Sequence, residues 1–298
     1  VILVGTLVIW SLSFLAAARV RVDLGVAHAV AARFLPVLLG SAALLLWRRP
    51  RLPRAAWPVI VGMGLLGVPG YNVFFFIGLK TVPSGTAALI IALSPVLAAV
   101  FAKLWLGETF GRRKQAGLAL ALFGLFVVIR YGTDRPVDWP YLSAALLLAG
   151  APTAWAMYTV LGKKLPPEVD TLDATLAILC VGSLPTALFV DRVLIRALAS
   201  SPGALGASLY LGVFCTLVGY LAWNWALRRL PASEVAAFVF LNPPLANFWA
   251  WLLVGDRLRA PFVAGALVLL AGVALIVLGA RKRRGSALPP EVESVAEP

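Results

Sequence analysis

Histidine occurs once, at His28, and cysteine twice, at Cys180 and Cys215, both within apolar stretches. That scarcity excludes a disulfide framework and leaves no usual ligand set for a metal ion, so no metal or other cofactor is expected. Charge is scarce too. Only 13% of the 298 residues are charged while 61% are hydrophobic, whereas a soluble domain is roughly 25% charged. Water is thereby excluded as the solvent of most of the chain, and membrane lipid takes its place. Acidic residues number 13 against 26 basic ones, a net charge of +13. In a soluble protein that excess would suggest nucleic acid. Here the basic residues fall in short clusters between apolar segments, where they set membrane orientation, and nucleic acid is not expected as a partner.

What the chain does contain is a repeat. Leu93-Ser-Pro-Val-Leu-Ala-Ala-Val-Phe-Ala-Lys-Leu-Trp-Leu-Gly-Glu108 returns as Leu241-Asn-Pro-Pro-Leu-Ala-Asn-Phe-Trp-Ala-Trp-Leu-Leu-Val-Gly-Asp256, at an offset of 148 residues. The same offset carries Pro83 onto Pro231, Pro95 onto Pro243, Gly107 onto Gly255, Glu108 onto Asp256, Gly117 onto Gly265 and Gly124 onto Gly272 without a gap. The chain is therefore two copies of one unit, and each copy is a string of apolar segments.

A span needs about 20 apolar residues to cross the hydrocarbon core. On that measure the sequence predicts ten, at roughly 1–19, 27–47, 56–79, 84–105, 112–131, 139–162, 172–190, 205–227, 232–254 and 260–280. The first has no basic flank and no small-residue cleavage site after it, so it is expected to be a span and not a removable signal peptide. With both termini in the cytoplasm, fifteen connecting Lys and Arg residues lie inside, including the Arg281-Lys282-Arg283-Arg284 cluster, against nine outside. That asymmetry predicts the N-in, C-in arrangement in the cell inner (plasma) membrane. Five crossings per copy force the second copy to insert upside down, so the expected fold is all-α integral membrane, ten helices in two inverted repeats. The first repeat covers 1–131 and the second 139–284; residues 285–298, Pro-containing and acidic, are expected to be a disordered cytoplasmic tail.

Prolines mid-span remove a backbone bond and free the carbonyl four residues earlier. Pro95 and the Pro243-Pro244 pair stand out, because each lies beside a polar residue, Ser94 or Asn242, near the middle of its span. These prolines are the gating or hinge candidates, and Asn242 and Ser94 are expected to face a cavity. Asn72 and Phe76 lie four apart on one helical face, and the offset maps them to Tyr220 and Asn224. Trp10 with Ser13 in the first span corresponds, at an offset of 145, to Trp155 with Tyr158 in the sixth. All eight are substrate-binding candidates, since an amide in mid-span costs energy unless it faces protein or water. The seven-residue glycine spacing reads as close helix packing. Glu108 and Asp256 read as caps for the positive end of the helix that follows. Arg33, about two turns inside the second span, is expected to pair or to snorkel outward. Glu234 is a coupling candidate, although its place at a helix start suits a capping role equally.

The mid-span Trp in spans one and six, Ala32-Arg33-Phe34 in span two, and Pro83-Ser-Gly-Thr-Ala-Ala-Leu followed by Ser94-Pro-Val and Gly107-Glu108, echoed in the second half, resemble the EamA family of the drug/metabolite transporter superfamily. The resemblance covers nearly the whole chain. It implies a ten-helix bundle, a central cavity lined mainly by helices one, three, four, six, eight and nine, and export of small metabolites such as amino acids. Two departures are Ser13, where the family frequently has Asn, and Asp256 in place of Glu. The function read from the sequence is a secondary transporter, not an enzyme, that takes a small-molecule substrate by alternating access, with a homodimer allowed. Two alternatives stand beside it. An enzyme acting on a lipid-linked substrate would usually need an acidic cluster or a catalytic His, and the chain has no DDxxD-like cluster. A passive channel would leave the repeat and the mid-span amides without a purpose.

Overall fold

The computed structural model describes residues 2–78, 80–82, 87, 90–109, 111–131, 139–255 and 260–285. Asp256 and the 286–298 segment, with the capping and tail expectations attached to them, lie outside the described residues. Among the described residues there is no strand, and six helices are long and apolar enough to cross a membrane: Leu24–Arg48, Arg54–Gly78, Ser143–Lys164, Thr171–Phe189, Pro202–Leu227 and Ala232–Leu253. Shorter apolar helices cover Ile2–Ala17, Ser94–Leu106 and Ala260–Ile276. Large apolar side chains such as Trp47 and Leu188 stand exposed, at 78% and 86%. An outer surface of that kind is stable only against lipid.

The loop expected between the first two spans is absent. Helix α1 (Ile2–Arg48) is continuous except at Gly25, whose φ of 74° and ψ of 179° are non-helical. Only glycine takes that conformation cheaply. The chain turns there, so that Trp10 and Arg33, from the two arms, both reach the segment around Thr216.

The repeat offset is visible in the backbone. Helices α2 (Ser94–Leu106) and α3 (Asn242–Val254) both run 13 residues and begin at the same repeat position. Before α2 the chain leaves the helical path at Ala92 and Leu93, and before α3 it tightens into a 3-10 turn at Phe238–Leu241. Pro95 and the Pro243-Pro244 pair follow these breaks, where a helix tolerates a residue without an N–H. Both helices stop at a left-handed glycine, Gly107 with φ 65° and Gly255 with φ 80°. A second matched irregularity is a π-helical segment at Leu66–Gly70, within a long span, and another at Tyr210–Val218. Regular helix resumes at Tyr71 and at Gly219, again 148 residues apart.

Helices α4 (Arg112–Tyr131) and α5 (Ala260–Gly285) pack along their glycine stripes. A Cβ on Gly124 would lie 2.7 Å from Gly265 O and 2.5 Å from Leu269 N; one on Gly117 would lie 2.7 Å from Gly272 O. The pairing is crossed, early glycine against late, so the two helices run antiparallel with backbones in contact. The carboxylate of Glu108 joins the halves elsewhere. It accepts from Ala232 N at 2.9 Å and from the Ser233 hydroxyl, while Lys114 Nζ stands 3.4 Å away. Glu108 thus caps a helix of the other half, Ala232–Ala237, and also meets Lys114 on the helix that follows it.

The seam predicts a sharp position dependence. Gly124→Ala should lower the melting temperature, with an overpacking cost of about 1–3 kcal/mol. Gly5→Ala, where nothing lies within 4 Å of the added carbon, should leave it unchanged or slightly raised. Equal melting temperatures for the two variants would contradict the seam.

Candidate functional site

The segments that break helical regularity converge on one place. Trp10 and Ser13 come from the first arm of α1 and Arg33 from the second; Tyr71 and Phe75 follow the first π segment, and Tyr220 the second. Trp155 comes from helix Trp139–Leu161, Val239 from the 3-10 break before α3, and Asn242 from the first position of α3. Together with Ile91 they line a cavity.

Its walls are a cluster of rings. Trp155 makes edge contacts with Trp10 and Tyr220, both at 5.2 Å between ring centres, and stacks on Tyr158 at 4.8 Å and 12°. Tyr71 stacks on Phe75 at 5.5 Å. Edge and offset contacts of this kind add about 0.5–1.5 kcal/mol each beyond burial, and hydrogen bonds hold the rings in place. Trp10 Nε1 donates to Cys215 O at 2.6 Å, and the Tyr220 hydroxyl donates to Gly67 O. Both acceptors lie in the π segments, so the irregular backbone fixes the orientation of the aromatic wall.

Five of the residues expected at a site line this cavity: Trp10, Ser13, Trp155, Tyr220 and Asn242. The others lie elsewhere, each for a visible reason. The Tyr158 hydroxyl donates to Asn224 Oδ1 at 3.0 Å, and Asn224 Nδ2 donates to Thr175 Oγ1 at 3.1 Å; this buried chain stands behind Trp155. Asn72 accepts from Arg33 Nη1 and donates to Val68 O. Phe76 packs on Phe75 in the core. Ser94 is fully buried with no hydrogen-bond partner for its hydroxyl but does not reach the cavity with its repeat partner Asn242. Pro95 lines a second, smaller hollow with Lys114 and Ser233. Pro243 and Pro244 open α3. Glu234 is buried in helix Ala232–Ala237, outside the cavity lining.

Sequence reasoning missed Tyr71 and Phe75 by one residue. They share the four-residue spacing of Asn72 and Phe76, and the π turn at 66–70 rotates the helix so that the neighbouring face points inward. Pro69 was the available sign of that turn. Arg33 was noticed as a charge, but the structure corrects its expected behaviour: it does not snorkel outward, being 6% exposed, and its partners are neutral.

Among the described residues Asn242 Oδ1 is buried with no hydrogen-bond partner, although a lost bond there costs about 1–3 kcal/mol. Chemically the cavity offers aromatic faces for an apolar body, a guanidinium and an amide oxygen for polar ends. Among the described residues no group of three or more His, Cys, Asp or Glu could hold a metal ion.

The EamA-like transporter family model matches residues 1–130 and 142–278. A probable terminal-alkyne amino-acid exporter of Streptantibioticus cattleyicolor is 30% identical, over 97% of this chain and 96% of that protein. A probable amino-acid metabolite efflux pump of Salmonella typhimurium is 26% identical over 93% and 94%. An uncharacterized transporter of Archaeoglobus fulgidus is 28% identical over 76% and 78%. One crystal structure superposes with a TM-score of 0.75 at 22% identity, covering 95% of this chain and 97% of that one, which shows a shared fold.

The wall predicts a division of roles. Tyr158→Phe strands Asn224 Oδ1 in the core and should cost about 1–3 kcal/mol of stability, read as a lower melting temperature, while solute affinity stays at the parent value. Lost affinity at an unchanged melting temperature would make Tyr158 a contact residue.

Proposed function

Because the chain belongs to the EamA-like transporter family, we propose that it is a secondary transporter that exports small amphipathic metabolites such as amino acids by alternating access around the aromatic cavity. It is a multi-pass membrane protein, and its family and relatives point to a transporter and not an enzyme. The observation that carries the reading is a cavity walled by rings in which Asn242 Oδ1 is buried without a partner. A solute with one apolar and one polar end completes such a site. The names of the two exporter relatives support the direction and the solute class.

In this reading the chain is ten spans in two inverted repeats, 1–131 and 139–284. Support comes from the matched 13-residue helices, the paired left-handed glycines, the matched π segments and the crossed glycine seam. Inverted copies supply two interconvertible arrangements around one central site. The breaks before Pro95 and Pro243 are the hinges, since they lack the regular helix hydrogen bonds that would resist bending. Both termini lie in the cytoplasm and the membrane is the cell inner membrane, as the basic connections favour.

The reading is tested by measuring melting temperatures of the purified protein against amino acids, nucleosides and cationic drugs, followed by flux into proteoliposomes. A bound solute raises the melting temperature by mass action, and saturable flux distinguishes a carrier from a channel. Asn242→Leu keeps the volume and removes both hydrogen-bonding roles. It should weaken binding about 10- to 100-fold, the equivalent of one or two bonds to charged groups, with a normal size-exclusion profile. Unchanged affinity in the folded variant would move the site away from α3.

A further inference from the structure

Arg33 enters the centre of a membrane protein as a permanent cation, since a guanidinium does not deprotonate in a protein. Its Nε donates to Thr216 Oγ1 and its Nη1 to Asn72 Oδ1, both at 3.1 Å. The guanidinium carbon lies 5.2 Å from the ring centre of Phe34. Every one of these partners is neutral. Among the described residues the ion pairs are His28 with Asp191, Arg48 with Asp170 and Asp173, and Lys114 with Glu108; none involves Arg33. A buried charge is normally paired, because its desolvation is otherwise uncompensated.

The chemistry around it indicates where the missing partner belongs. A guanidinium has five N–H donors, of which two are used here, and the side chain borders the cavity. The position best placed to neutralise it internally, 72, carries an amide and not a carboxylate. Asn242 Oδ1 borders the same cavity as an acceptor without a donor. One polar group therefore awaits an anion and the other awaits an N–H, with aromatic faces between them.

We propose that Arg33, facing the cavity with unused donors and no carboxylate partner, is the anchor for a carboxylate of the transported solute, so that the protein takes organic acids and zwitterions and rejects cations. An α-amino acid meets both ends: its carboxylate pairs with Arg33 and its ammonium donates to Asn242 Oδ1, over a ring face that favours a cation. A bare amine leaves Arg33 unpaired and adds like charge to the cavity, which opposes its entry. The inference rests on the transporter reading and narrows it to one class of solute.

Matched compounds test it on two carbon skeletons: phenylalanine, 3-phenylpropanoate and 2-phenylethylamine; leucine, 4-methylpentanoate and isopentylamine. Binding is followed by tryptophan fluorescence of the purified protein in detergent. The amino acid or the acid should bind at least about 10-fold more tightly than the amine of the same skeleton. Arg33→Gln should weaken that binding about 10- to 100-fold, and Arg33→Lys should restore part of it. Because Arg33→Gln also removes bonds to Thr216 and Asn72, a second variant, Asn72→Asp, places a carboxylate at the atom that already accepts from Nη1. It should stay folded and yet weaken acid binding by the same order, since the internal pair competes with the solute. A purely structural Arg33 predicts no such loss. Amines binding as tightly as acids, no acid binding on either skeleton, or Asn72→Asp binding acids like the parent would each overturn the assignment. Saturable flux of a nucleoside or cationic drug, insensitive to Arg33→Gln, would overturn this inference alone; the absence of saturable flux for any solute would overturn the transporter reading itself.

Discussion

Lipid accepts no hydrogen bond, so every polar group within the bilayer must be met inside the protein. The irregular parts of this structure follow from that constraint. Wherever the helical ladder is broken, at the π segments 66–70 and 210–218 and before Ser94 and Asn242, the break turns inward. The freed groups then find side chains: Gly67 O takes the Tyr220 hydroxyl, Cys215 O takes the Trp10 indole, and Leu211 O takes Thr216 Oγ1 at 2.8 Å. The cavity lies where these solutions meet, and its aromatic wall is held by the defects in the helices it joins.

Two kinds of contact surround that centre. The glycine seam between Arg112–Tyr131 and Ala260–Gly285 is backbone against backbone, a contact that tolerates little adjustment. The Glu108 joint to Ala232 and Ser233 is a small charged contact with Lys114 beside it. For the alternating access proposed above, a close-packed seam on one side and a small polar joint on the other would let the bundle rock about the first and make or break the second, with Pro95 and Pro243 as the proposed hinges.

Much of the architecture was legible in the sequence. The 148-residue offset relates the starts of α2 and α3 and the turns at Gly107 and Gly255, because proline and glycine act through their own backbone restrictions, although spans four and nine were expected to begin near 84 and 232. The first two spans were expected to end and begin at about 19 and 27, whereas α1 runs through that stretch with a kink at Gly25, because one left-handed glycine suffices for the turn. The lining of the cavity was half legible. Trp10, Ser13, Trp155, Tyr220 and Asn242 could be named from mid-span position. Tyr71 and Phe75 could not, because a π turn shifts the helical face by about one residue and only a tertiary context stabilises it. The surroundings of Arg33 were hidden for a different reason: whether a mid-span charge faces lipid headgroups, an acid or a cavity depends on residues distant in sequence, here Asn72 and Thr216.

The central claim is that the aromatic cavity is open to water-borne solutes and is where they bind. Ser13 lines it without belonging to the ring cluster. A single cysteine at that position, in a chain lacking Cys180 and Cys215, should react with a small polar methanethiosulfonate reagent, and the rate should fall when a solute that raises the melting temperature is present at saturation. A cysteine there that does not react, or that reacts at the same rate with the solute bound, would contradict the account.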